Sequence, residues 1–150
     1  MGIRSEVLFS IEFEKEYKDQ VASRLKAILL DDKFQEFNIV LPSIIKEQNN
    51  SESTTIKFYF YEDWIKYSAV EEEFNFIINK IEEINTDSNS TIIKYELMEL
   101  CTEFIDENEF GEHKTNKDYY DFKVNASISA DISIDPCCDE PSLLEWLKNN

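Results

Sequence analysis

Apolar and polar positions alternate at the start of the chain. Val7, Phe9, Ile11 and Phe13 fall on one side, and Leu8, Ser10, Glu12 and Glu14 on the other. A period of two with one apolar face predicts a half-buried β-strand. The period then lengthens. Tyr17, Val21, Leu25, Ile28 and Leu29 recur at helical spacing among Lys18, Asp19, Arg24 and Lys26, which predicts an amphipathic helix ending near Asp31 and Asp32. Residues 37–45 read as extended, with Pro42 confining them to an edge or bulged strand. The polar stretch 47–53 reads as a loop. Strand spacing returns over 54–61, where Ile56, Phe58 and Phe60 face one way and Thr55, Lys57, Tyr59 and Tyr61 the other. These two runs are expected to form a hairpin.

A second helix follows. Ser68 and Glu71 have the spacing of a capping box, and Val70, Phe74, Ile77, Ile78, Ile81 and Ile84 form one apolar stripe behind them. Glu71, Glu72 and Glu73 are expected in the first turn, where the helix dipole favours negative charge. Residues 85–90 end the element. The segment 92–105 fits both periods: Ile93, Leu97, Leu100, Cys101 and Phe104 suit a helix, while Met98, Leu100, Thr102 and Phe104 alternate. The longest alternation in the chain decides between them. It runs through Phe122, Val124, Ala126, Ile128, Ala130, Ile132 and Ile134, and a strand of 120–134 calls for a long antiparallel neighbour. The segment 92–105 is therefore taken as strand, joined to it by an acidic loop over 106–118. Pro141 is expected to open a short terminal helix carrying Leu143, Leu144, Trp146 and Leu147.

The resulting fold class is α+β, in the order βαββαβ with an extra long C-terminal strand and a short terminal helix. By element order alone it resembles a ferredoxin-like antiparallel sheet with two helices on one face. Fold does not give function. At 150 residues the chain suits a single domain, 1–150, able to bury about 68–70% of the surface its unfolded form exposes. Eleven Phe and seven Tyr supply a core and argue against disorder, and only two Gly and three Pro leave little for flexible linkers. Residues 1–10 lack the basic and apolar regions of a signal peptide, and no apolar run approaches the roughly 20 residues of a membrane span. Three cysteines, two of them adjacent (Cys101, Cys137 and Cys138), make a poor disulfide framework. A cytoplasmic protein with reduced thiols is expected.

Candidate chemistry is sparse. His113 is the single histidine and has no nucleophile motif beside it. Three Cys and one His lack the spacing of a zinc site, and adjacent cysteines lack the spacer of a redox motif. Residues 106–111 match a calcium loop at Asp106, Asn108 and Gly111, but Phe110 stands at the fifth position and Lys117 at the twelfth, where ligands are needed. Two glycines, Gly2 and Gly111, cannot build a phosphate-cradling loop. The aromatic run Phe58–Tyr61 with Trp64 and Tyr67 suits core packing better than base stacking. No catalytic residue, metal or cofactor is therefore assigned.

Charge then changes the picture. With 32 Asp and Glu against 15 Lys and Arg, the formal charge is −17 at pH 7, which repels nucleic acid and anionic membrane and attracts basic surfaces. Asp106, Glu107, Glu109 and Glu112 in the acidic loop, with Asp118 and Asp121 beyond it, are the expected partner-binding residues. Carboxylates in a row can stand in for a duplex, which carries one charge per roughly 1.7 Å of axis. The reading is a non-catalytic inhibitor that docks on a basic nuclease or nucleic-acid-binding complex, such as a phage anti-CRISPR or another nucleic-acid mimic. An immunity protein against a nuclease toxin is the alternative. An uncharacterised enzyme, or a regulatory subunit kept soluble by its acidity, stands further off.

Overall fold

The computed structural model describes residues 5–46, 53–100 and 141–150. Its frame is a four-stranded, wholly antiparallel sheet. β1 (Ser5–Glu14) lies at the centre, between β3 (Thr55–Ile65) and β4 (Ile93–Leu100), and β2 (Ile45–Lys46) adds to the far side of β3. The alternation read from β1 holds on the helix side: Val7, Phe9, Ile11 and Phe13 are all buried there. The strand reading of 92–105 holds over Ile93–Leu100, and the partner found for it is β1. The expected neighbour at 120–134 lies outside the described residues.

α1 (Lys18–Leu25) is shorter than the spacing predicts, and the chain continues as 3-10 turns over Lys26–Leu30 and Asp32–Glu36. Three residues per turn align side chains three apart. This keeps Ile28 in the core beneath Leu25, both fully buried, and turns Leu30 outward. Asp31 separates the two turns, its side chain accepting a hydrogen bond from the Lys33 N–H at 2.9 Å.

The extended reading of 37–45 is corrected. One turn of helix, α2 (Val40–Ser43), occupies its middle, and only Ile45 and Lys46 pair with β3. Two residues explain the turn. Pro42 stands in its first turn, where a missing N–H costs nothing. Glu73, from the next helix, accepts hydrogen bonds from the Ile39 and Val40 N–H groups, each at 3.2 Å.

α3 (Tyr67–Asp87) carries the expected stripe, with Val70, Phe74, Ile77, Ile81 and Ile84 buried. Its start differs from the reading. β3 runs on to Ile65, so the helix opens at Tyr67 with Lys66 at the N-cap and no side-chain cap bond. Ser68 then lies inside the helix, and the capping box with Glu71 does not form. The acidic triplet falls in the second turn. Tyr67 is drawn into the helix by stacking on Phe74, with ring centroids 5.9 Å apart. At the other end Asn89 takes φ 52°, the Ser90 N–H reaches the Asn85 carbonyl and the Asn89 N–H reaches that of Thr86. This is a Schellman ending with asparagine where glycine is commonest.

α4 (Leu143–Asn149) begins two residues later than expected, because the Ser142 hydroxyl caps it by accepting from the Glu145 N–H at 3.2 Å. Pro141 serves the sheet: its carbonyl accepts from the Lys46 N–H at 2.9 Å, and the Leu143 N–H donates to the Ile44 carbonyl at 2.8 Å. The helix face of the sheet, α1, α3 and α4 share one core. Phe74 packs edge-on against Phe9 and Phe60, and Trp146 packs against Phe13 and Phe58. On the opposite sheet face Leu8 and Tyr59 are also buried, each 4% exposed, yet they lie outside that cluster.

Candidate partner-binding surface

The six expected contact residues (Asp106, Glu107, Glu109, Glu112, Asp118 and Asp121) lie outside the described residues, as do His113, the three cysteines and the calcium-like stretch. What the structure does place is the remaining acidity, much of which has a local task. The head of α3 divides three ways. Glu73 is only 5% exposed and holds α2. Glu72 pairs with Lys33 at 3.3 Å. Glu71 is exposed and lies near Tyr67.

Further along, Asp87 pairs with Arg24, and Lys80 pairs with Asp31 at 3.7 Å while lying over the Phe76 ring. Exposed pairs of this kind stabilise by at most about 1 kcal/mol. Their effect here is electrostatic: Arg24 of α1 and Lys33 of the second 3-10 turn neutralise carboxylates on one flank of α3, and Lys80 of α3 neutralises Asp31 in return. Glu82 accepts a hydrogen bond from the Tyr95 hydroxyl at 3.0 Å. That bond, with a smaller contribution from burial, holds the Tyr95 phenol above its usual range. The exposed face of α3 is thus not a bare row of carboxylates.

The outer face of the sheet is mixed in charge. In register, Lys57 of β3 and Lys94 of β4 flank Glu12 of β1, so this row offers its own opposite-charge neighbours. The aromatic run is mostly interior, since Phe58 and Phe60 are buried in the core and Tyr59 is buried on the outer face. Trp64, 60% exposed, is the exception.

Charge is distributed unevenly along the chain. The described residues carry nineteen Asp and Glu against eleven Lys and Arg, whereas the forty residues 101–140 carry eleven against three. An equal surplus of eight therefore falls on far fewer residues in the second group. That stretch leaves the described fold at Leu100, which pairs with Glu6, and rejoins it at Pro141 beside β2.

The residue that pattern reading missed is Glu73. Its signal was present, because it stands three residues after Val70 and four before Ile77, within the apolar stripe. A carboxylate at such a position is buried and needs partners. Among the described residues no group of three or more His, Cys, Asp or Glu side chains is placed to hold a metal ion, and no helix is long and apolar enough to cross a membrane. No family model, no curated protein and no solved structure matches this chain.

Proposed function

We propose that this protein is a non-catalytic, cytoplasmic inhibitor that docks an acidic surface on a basic, nucleic-acid-handling protein. A phage anti-defence factor of the anti-CRISPR or nucleic-acid-mimic kind is the setting that suits it best. The observation that carries the reading is the position of the charge. Carboxylates on α3 are largely engaged with Lys33, Arg24, Tyr95 and the backbone of α2, while the surplus concentrates in 101–140, around Asp106, Glu107, Glu109, Glu112, Asp118 and Asp121. Such a segment attracts a groove built for phosphates, with fast and salt-sensitive association. The proposal extends to the fold: a ferredoxin-like sandwich is supported by β2-β3-β1-β4 antiparallel pairing with helices on one face, its second strand reduced to two residues.

The test is a tagged pull-down from nuclease-treated lysate at two salt concentrations. It is run with the native chain and with a variant in which Asp106, Glu107, Glu109 and Glu112 are all changed to Lys. One basic nuclease or nucleic-acid-binding complex is expected with the native chain, weakened by salt and lost in the variant. Retention by the variant, or a partner indifferent to salt, overturns the reading.

A further inference from the structure

The outer face of the sheet is drier than the described elements explain. Every described helix and 3-10 turn packs against the core on the helix face. An antiparallel sheet of this kind can leave its other face to water. Yet Leu8 and Tyr59 on that face are each only 4% exposed and lie outside the core. Strand neighbours shield the flanks of a side chain that stands up from a sheet; they do not close over a tyrosine ring. In register, Ser10 stands opposite Tyr59 and Leu8 opposite Tyr61, so the four form one patch, in which Ser10 and Tyr61 are half-buried. Lys94 and Glu96, on the same face of β4, are exposed. The cover therefore lies over β1 and β3.

This burial arises within a single chain, so the cover belongs to the chain itself and not to a second copy. Three stretches lie outside the described residues: 1–4, 47–52 and 101–140. The first offers two apolar side chains, Met1 and Ile3, and the second is wholly polar. The third leaves the sheet at Leu100 on β4 and returns at Pro141 beside β2. It passes from one outer strand to the other, about 15 Å at the usual strand spacing, and with the helix face filled the outer face is the open route. Within it, the carboxylates of 106–118 are costly to bury. Residues 120–134 are different: Phe122, Val124, Ile128, Ile132 and Ile134 alternate with polar positions such as Asp121, Asn125, Ser127 and Asp131.

We infer that the apolar side of residues 120–134 covers the outer face of the sheet over Leu8, Ser10, Tyr59 and Tyr61. The sheet then has a core on each face. This assignment goes beyond the acidic-docking reading and does not depend on it. It does give the acidic stretch 106–118 two fixed ends, at Leu100 and at the start of the cover.

The experiment places a photo-cross-linking p-benzoylphenylalanine in the full chain, at Tyr61 in one variant and at Ser10 in another, and maps the products by fragment sequencing in a mass spectrometer. Cross-links within one chain to residues 120–134 are expected from both sites. Cross-links confined to 1–4, 47–52 or 135–140, a cross-linked dimer, or no product from either site overturns the inference. An aspartate scan keeps it testable should either probe disturb folding. V124D, I128D and I132D should each lower the urea midpoint, whereas S127D and S129D should leave it near native. Equal effects at the two sets of positions would also overturn it.

Discussion

Glu73 shows how much one side chain can decide. Its carboxylate leaves water and takes two backbone N–H groups in exchange, at the start of a helical turn where no carbonyl is available to them. A carboxylate can accept both bonds; an amide can accept only one and presents an N–H₂ group to the other. E73Q is therefore expected to destabilise the fold by about 1–3 kcal/mol, read as a lower urea midpoint with unchanged slope. A midpoint equal to the native one would show that α2 stands without its clamp. Tyr95 gives a second test at this scale. Its phenol is held in the neutral form by donating to Glu82. A folded-state pKa above the unfolded one contributes stability that is fully present below the unfolded tyrosine pKa. That contribution is lost as pH rises through the folded value. Phenolate absorbance of the native protein should show one tyrosine titrating late because of this bond. E82Q should bring it back toward the ordinary range.

The elements themselves differ in how far they were legible. β1 and the stripe of α3 were, because their periods are long and one-sided. The turn at Val40–Ser43 was not, since what fixes it is a carboxylate more than thirty residues away. Ser68 misled for a related reason: β3 runs four residues past Tyr61, and the helix opens before the serine can cap it. The candidate contact residues were legible only as charge, and charge has no period to tie it to a face. Local signals succeed where geometry is local. The α3 ending is such a case, with Asn89 in the left-handed region. N89G should leave stability near native or raise it, whereas N89V, branched at Cβ, should cost about 1–2 kcal/mol in thermal or urea unfolding. Equal effects of the two would remove the Schellman ending from the account.

Across the whole molecule, the buried face of the last helix belongs to the first strand's core. Leu143, Trp146 and Leu147 are buried with Val7, Phe9, Ile11, Phe13 and Phe58, and W146A should cost about 3–5 kcal/mol by emptying a site lined with aromatic rings. A loss below about 1 kcal/mol would mean that α4 is an accessory. The same packing ties two distant parts of the sheet together. The Lys46 N–H donates to the Pro141 carbonyl and the Leu143 N–H to the Ile44 carbonyl, so α4 is stitched to β2 by backbone bonds at its start and to β1 and β3 by Trp146 beyond it. Loosening α4 would therefore open one edge of the sheet and one end of its core in a single event.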